Sequence, residues 1–243
     1  MTYQQQYHHT MPTIESILIL DCETTGLDPT TDSLCEVGAI LFSVPHRAVI
    51  QQVSFLLPIN ANPAQHINGI SPEISRLVYS DQAWRLFLEM AAQADAFLAH
   101  NAEFDRQWLD PLLTPGLRTL PWICTCEGIR WPGVRLNPSL LDLALAYGVP
   151  VWAAHRALTD CTYLAQVLAR DPDLELHLAQ GLEPRRLVVA RVSYDQREQA
   201  KAAGFRWDPA TKEWSRRCSQ SEIDGLPFPV IESATATEPK SRQ

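Results

Sequence analysis

The stretch Ser16-Ile-Leu-Ile-Leu-Asp-Cys-Glu-Thr-Thr-Gly26 decides the fold of this chain, because an apolar run leads directly into two acidic residues. Residues 16–21 have the composition of a buried β-strand. Alternate residues of a strand share a face, so Asp21 and Glu23 project together while Cys22 points to the other side. Neighbouring carboxylates repel each other unless a cation lies between them. The pair therefore indicates a cation site, with ordinary solvated acids at a strand end as the alternative.

The pattern on either side of this stretch predicts an α/β domain. Apolar and β-branched runs predict further strands at 35–43, 49–57, 96–99 and 122–124. Helical spacing predicts helices at 81–94, 102–113, 139–147 and 157–170. Three strands followed by alternating helices and strands are typical of a mixed sheet flanked by helices.

Charge is distributed unevenly along the chain. The 243 residues include 20 Lys and Arg against 28 Asp and Glu, a formal net charge of −8. This total excludes a uniformly basic nucleic-acid coat and leaves open an enzyme whose carboxylates hold metal ions. Residues 185–218 nevertheless hold nine Lys and Arg against four Asp and Glu. The change of sign predicts a domain boundary close to residue 184.

Four segments follow from these patterns. We expect a disordered polar leader at 1–13, a main domain at 14–184, a small basic and aromatic α+β module at 185–230, and a disordered tail at 231–243. The leader lacks the basic start and apolar core of a secretory signal, and no apolar stretch reaches the ~18–20 residues of a bilayer span. We therefore expect a cytoplasmic protein without membrane contact, whose six cysteines are reduced thiols.

Two more acids stand near the ends of predicted elements. Asp105 lies about one turn into the helix that follows a short strand, so its carboxylate can point back toward Asp21 and Glu23. A first-turn acid that favours the helix dipole is the alternative for Asp105. Five helical positions advance by ~140°, so His155 and Asp160 can share a site only if His155 precedes the helix. A capping or surface histidine is the alternative for His155.

The three motifs in this order resemble those of the DEDDh 3′–5′ exonucleases. They are Asp21-Cys-Glu-Thr-Thr-Gly26, His100-Asn-Ala-Glu-Phe-Asp105 and His155-Arg-Ala-Leu-Thr-Asp160, and the resemblance covers about residues 14–170. It implies a ribonuclease H-like fold and a hydrolase that releases nucleoside 5′-monophosphates from 3′ ends. It also implies that two divalent cations, Mg²⁺ or Mn²⁺, are held by Asp21, Glu23, Asp105 and Asp160, with His155 as general base. An all-oxygen ligand set fits these hard cations.

The resemblance further implies contacts with the terminal nucleotide. The residues at the matching positions are Thr24, Thr25, Leu27, Ile70, Asn101 and Phe104. Ordinary core packing is the alternative for Leu27, Ile70 and Phe104. Ile70 lies in the segment Gln65-His-Ile-Asn-Gly-Ile70, where Asn68 stands at a position that is commonly histidine in this family.

The segment Ala200-Lys-Ala-Ala-Gly-Phe-Arg-Trp-Asp-Pro-Ala-Thr-Lys-Glu-Trp214 resembles a small module sometimes found beside nucleic-acid enzymes. Its basic charge and its aromatic residues, Trp207 and Trp214 among them, suit phosphate contact and base stacking. The alternative is that both tryptophans form the core of a small unit. The two interpretations are compatible if Arg206, Arg216 and Arg217 face outward.

These observations predict a metal-dependent 3′–5′ exonuclease acting on DNA or RNA, with single-stranded 3′ ends as the expected substrate and a polymerase or repair protein as a possible partner. One alternative is a nucleic-acid-binding scaffold that keeps the fold without turnover. The other is the proofreading subunit of a replicative polymerase. No residue identifies a reader of the 2′-hydroxyl, so both DNA and RNA stay open.

Overall fold

A five-stranded mixed sheet forms the larger part of the computed structural model, which describes residues 13–77 and 81–233. The sheet has the strand order β3-β2-β1-β4-β5. Its strands are β1 (Ser16–Thr24), β2 (Leu34–Ser43), β3 (Ala48–Leu56), β4 (Ala96–Ala99) and β5 (Trp122–Cys124). β1, β2 and β3 are antiparallel, whereas β4 and β5 run parallel to β1. The mixed α/β sheet predicted from the sequence is confirmed.

Helices cover both faces of this sheet. In chain order they are α1 (Gln65–Asn68), α2 (Pro72–Ser75), α3 (Asp81–Ala91), α4 (Ala102–Leu109), α5 (Leu140–Ala146), α6 (Ala157–Arg170) and α7 (Leu174–Gly181). Ile17 and Ile19 of β1 face the core shared with α5, α6 and α7. Leu18 and Leu20 face the core shared with α3 and α4. Because β1 is apolar on both faces, it becomes the central strand of the sheet.

Strand β1 is longer than the apolar run that predicted it. It extends to Thr24, and Asp21 and Glu23 pair in register with Gly38 and Glu36 of β2. Cys22 lies on the other face, in the core of α3 and α4. The two acids therefore lie on a rigid strand, as the alternation of side chains predicts, and the strand ends in an irregular pairing between Glu23 and Thr24.

The C-terminal module contains a second, four-stranded sheet. Its strand order is β7-β8-β6-β9. The elements are β6 (Arg186–Ala190), α8 (Arg197–Ala202), β7 (Arg206–Asp208), β8 (Glu213–Cys218), α9 (Gln220–Asp224) and β9 (Val230–Glu232). β9 corrects the predicted start of the tail, because Ile231 and Glu232 pair with Val189 and Val188 of β6. The predicted leader up to residue 12 and the tail from residue 234 lie outside the described residues.

The carboxylate of Glu222 in α9 joins the module to the larger sheet domain. It accepts hydrogen bonds from the guanidinium groups of Arg130, Arg185 and Arg216. We call these four residues the Glu222 cluster. The side chain of Arg216 is only 8 % exposed, so Arg216 does not face outward, which was the condition for it to contact phosphate. Its guanidinium finds partners in Glu222 and the carbonyl of Ala203, and a buried cation requires such partners.

None of the helices within residues 13–77 and 81–233 is long and apolar enough to cross a lipid bilayer. All six cysteines are free thiols, as expected from their spacing.

Candidate active site

The carboxyl groups of Asp21 and Glu23 lie on the face of β1 that is covered by the first turn of α6. This close approach depends on Gly38, which pairs with Asp21 across the sheet. A β-carbon at position 38 would lie 2.4 Å from the carbonyl carbon of Ala157 and 2.5 Å from the amide nitrogen of Leu158. Only a glycine therefore lets the helix bring Asp160 against the two acids of β1.

His155 lies in the loop before α6, as predicted, and Asp160 lies inside the helix. The backbone of His155 is left-handed, with a φ of 61°. One ligand atom each of Glu23, His155 and Asp160 lies within 4.8 Å of the other two. The structure therefore brings the first and third sequence motifs together at one point.

Glu36 was not identified from the sequence, yet it fixes the loop that carries His155. Its buried carboxylate accepts hydrogen bonds from Nε and Nη2 of Arg156, both at 2.9 Å. It also accepts a hydrogen bond from the amide of Ala157 at 3.1 Å and one from the hydroxyl of Ser54 at 3.1 Å. A bidentate ion pair immediately after His155 holds the histidine at the start of the helix. An acid within the apolar run of β2 was the available signal for this role.

Asp105 comes to the same region from α4. The residue before this helix, Asn101, has a left-handed φ of 71°, which turns the chain sharply after β4. Asp105 is 2 % exposed, and its Oδ1 atom has no hydrogen-bond partner among the described residues. Oδ1 of Asp160 also lacks a partner in this part of the chain. Buried carboxylate oxygens without donors are unusual unless they serve a ligand.

Burial raises the pKa of all four acids, and the charges of the neighbouring acids raise the pKa of Asp21 and Glu23 further. Burial, then the charges of Asp105, Glu23 and Asp160, raises the pKa of Asp21 well above its ordinary value. Burial raises the pKa of Glu23 and of Asp105 to about 8 each, and that of Asp160 to about 6. For Asp160, the backbone and charge of His155 work in the opposite direction and favour the ionised form. Such a group of acids ionises together only when cations are close.

These residues fit divalent cations. The donors are carboxylate oxygens and one imidazole, two of the oxygens have no other partner, and the acids repel one another. The three closely grouped donors are Glu23, His155 and Asp160, whereas the sequence predicted all four acids as ligands with His155 outside the set. Asp21 and Asp105 adjoin this group, since the charge of Asp105 raises the pKa of Asp21 and that of Glu23.

The predicted nucleotide contacts fall into two groups. Leu27, Asn101 and Phe104 have exposed or partly exposed side chains. Ile70 is 2 % exposed and packs with Cys35 and Ile59, which favours the packing alternative at this position. Both threonines are buried: the hydroxyl of Thr24 donates to the carbonyl of Gly26 at 2.5 Å, and that of Thr25 accepts from the amide of Ser33 at 2.9 Å.

Asn68 was noted in the sequence only as a departure from the family pattern. Its side-chain amide donates to the carbonyl of Thr24 at 3.1 Å. Its carbonyl oxygen accepts from the side chain of Asn62 at 2.9 Å and from the amide of Ile70 at 3.1 Å. Asn68 therefore joins the loop around α1 to the end of β1, next to Glu23.

Comparison with known sequences matches two parts of the chain. Residues 18–113 match a family described as "Exonuclease", and residues 186–232 match a domain of unknown function. DNA polymerase III subunit epsilon of Treponema pallidum is 32% identical over 155 residues, which cover 58% of this chain and 68% of that protein. A PolC-type DNA polymerase III of Thermotoga maritima is 28% identical over 175 residues. That match covers 64% of this chain but spans only 12% of the polymerase.

Comparison with solved structures supports the fold. Exonuclease I of E. coli in complex with a dT13 oligonucleotide aligns with a TM-score of 0.54 at 18% identity, over 74% of this chain and 48% of that one. The nuclease domain of 3′hExo, a DEDDh family member bound to rAMP, aligns with a TM-score of 0.50 at 13% identity. This alignment covers 65% of this chain and 92% of that one. The ribonuclease H-like fold predicted from the sequence is thereby confirmed.

Proposed function

Because this chain belongs to the DEDDh family of 3′–5′ exonucleases, we propose that it hydrolyses phosphodiester bonds at the 3′ ends of DNA or RNA and releases nucleoside 5′-monophosphates. One observation carries the proposal: four carboxyl groups converge with His155 at one edge of the sheet, and two of their oxygens have no partner among the described residues. A structural ion pair would have supplied that partner.

Asp21, Glu23, Asp105 and Asp160 would hold two divalent cations, Mg²⁺ or Mn²⁺. When bound, such ions lower the pKa of water and stabilise the negative charge of an in-line displacement. The acids would determine where the scissile phosphate can lie, because β1, α4 and α6 hold them on rigid elements. Leu27, Asn101 and Phe104 would then contact the terminal nucleotide from the open side of the edge.

His155 would accept the proton of the attacking water. Its side chain is exposed, so solvent can carry the proton away after each turnover. An imidazole is suited to proton transfer near neutral pH. The ion pair of Arg156 with Glu36 would position His155.

The proposal is tested by the release of mononucleotides from a 3′-end-labelled oligonucleotide in Mg²⁺ or Mn²⁺. We expect Asp21→Ala to lower the rate by at least about 100-fold, because loss of a ligand exceeds the effect of losing an outer-shell partner. The matched control is Glu103→Gln, an exposed acid on α4, which should keep the wild-type rate. Matched DNA and RNA, single- and double-stranded, identify the preferred substrate.

Two results would contradict the proposal. Unchanged activity in Asp21→Ala would show that the carboxyl cluster takes no part in the reaction. A wild-type protein that binds oligonucleotides but releases no mononucleotide with either ion would favour the non-catalytic scaffold.

The second candidate function is proofreading in association with a polymerase. Its basis is the match with the relative named DNA polymerase III subunit epsilon. Co-purification of the full chain with a replicative polymerase would support this role, and a protein that purifies alone while remaining an active exonuclease would count against it.

A further inference from the structure

The C-terminal module contains a cavity of about 750 Å³ that the exonuclease site does not use. Its walls come from the segment between β6 and α8 and from the hairpin of β7 and β8. The family match over this region carries no assigned function. A cavity of this size is in the range of small-ligand sites in proteins.

Aromatic rings line the cavity and remain accessible. Trp214 packs partly into the core of the module, next to Val188 and Phe205. Trp207 pairs with it across the hairpin, with ring centroids 5.7 Å apart, yet Trp207 is 49% exposed. Tyr194 is 78% exposed. A small unit gains stability by burying its large aromatic rings. The exposure of Trp207 and Tyr194 is therefore better explained by a ligand that stacks on them.

The charge of the cavity wall is positive. Arg191, Arg197 and Lys212 line it, against the single acid Glu213. The guanidinium of Arg197 lies 3.9 Å from the centre of the Tyr194 ring, which holds that ring in place. Neither Arg191 nor Lys212 forms an ion pair with any residue that the structure describes. These cations contrast with Arg185 and Arg216 of the same module, which are neutralised by Glu222.

We propose that this cavity binds single-stranded nucleic acid, with bases stacked on Trp207 and Tyr194 and backbone phosphates against Arg191 and Lys212. Flat rings alternating with unpaired cations match the alternation of bases and phosphates in a single strand. A peptide ligand would need main-chain partners or a matching acidic sequence, and the open aromatic faces favour stacking. The site would hold the strand away from its 3′ end and take no part in hydrolysis.

The test measures binding without cleavage and without a 3′ end. Full-length protein in EDTA is titrated into a fluorescently labelled, covalently closed circle of deoxythymidine, which has no end to enter the exonuclease site. A circle of uridine gives the RNA arm. Trp207→Ala should weaken binding by roughly 5- to 100-fold, the loss that follows when one stacked base is released. Trp207→Phe, which keeps a ring, should recover most of the affinity.

The charge contribution is tested with a matched pair of lysines. Lys212→Gln should weaken binding and flatten its salt dependence, because one phosphate contact is lost. Lys201→Gln, an exposed lysine on α8 outside the cavity, should bind like the wild type. Thermal melting shows that each variant is folded. Equal affinity of folded Trp207→Ala and wild type, or no binding of either circle, would overturn the proposal whatever the outcome for hydrolysis.

Discussion

In the exonuclease domain four carboxyl groups lie together and the pKa of each is raised, whereas between this domain and the C-terminal module three arginines share the carboxylate of Glu222. The first arrangement concentrates charge of one sign at a sheet edge, and the second neutralises charge where the two regions meet. The comparison indicates which kind of ligand each region can bind. The acids favour bound cations, while Arg191 and Lys212 of the module's cavity have no ionic partner within residues 13–77 and 81–233.

The largest expected effect is the pH dependence of the metal-free protein. Burial raises the pKa of Glu23 and Asp105 to about 8, well above the ordinary carboxyl range. Between about pH 4 and about pH 8 the folded protein therefore binds more protons than the unfolded chain, so its stability falls as pH rises. We expect a loss of several kcal/mol in urea unfolding in EDTA across this window.

Added Mg²⁺ should reduce this loss, because a cation favours the ionised acids of the native state. A free energy of unfolding that rises with pH in EDTA over the same window would contradict the arrangement of like charges described for the site.

Arg156→Gln should have the next largest effect, because it leaves the buried carboxylate of Glu36 without its cation. We expect a loss of about 3–5 kcal/mol in the free energy of unfolding, together with slower hydrolysis as the loop of His155 loosens. The control is Arg135→Gln, which breaks an exposed pair with Asp142 and should cost about 0–1 kcal/mol. Equal costs for the two variants would show that Glu36 does not depend on Arg156.

Gly38→Ala tests the packing that creates the acidic edge. The added methyl group would lie 2.4 Å from the backbone of Ala157, so α6 must move away from β2. Overpacking of this kind costs about 1–3 kcal/mol, and displacement of Asp160 should lower activity disproportionately. Gly116→Ala is the control, because a methyl group there meets no atom within 4 Å. A fully active Gly38→Ala protein would contradict the role given to this contact.

Glu222→Gln should have the smallest effect of the four. Glutamine still accepts a hydrogen bond, but Arg130, Arg185 and Arg216 lose the negative charge that they share, at a cost of about 1.5 kcal/mol. The loss should appear as easier proteolysis between the module and the sheet domain, with oligonucleotide hydrolysis kept. Glu198→Gln, which affects only an exposed pair with Arg197, should leave proteolysis unchanged. Equal resistance to proteolysis in both variants would count against the Glu222 cluster as the connection between the module and the sheet domain.

The parts of the fold and site that depend on local rules could be predicted from the sequence. Alternation along β1 placed Asp21 and Glu23 together, and helix geometry placed His155 before α6. The core strands and the helices around Asp105 and Asp160 followed from their apolar periodicity. The assignment of catalytic and ligand roles to these residues stays a prediction.

The features missed from the sequence depend on contacts between distant segments. Glu36 and Arg156 are separated by 120 positions, and nothing local to either residue reveals the pair. In the sequence, Gly38 is indistinguishable from any other glycine in a strand, because its role depends on the packing of α6 against it. The burial of Arg216 could not be predicted either, because its partner Glu222 lies in the next helix. Strand β9 is too short to give a periodic signal of its own. Its partner β6 lies some forty residues earlier, so the pairing could not be predicted locally either.

The Glu222 cluster has a consequence for how hydrolysis depends on strand length. Because ion pairs from both regions meet on one carboxylate, this cluster would restrain the separation between the aromatic cavity and the carboxyl edge. A strand long enough to occupy both would meet the second site as an intramolecular partner, at an effective concentration that can reach the millimolar range. A shorter strand would gain nothing. Processive degradation would then give way to distributive degradation at one threshold length, set by the geometry of the protein.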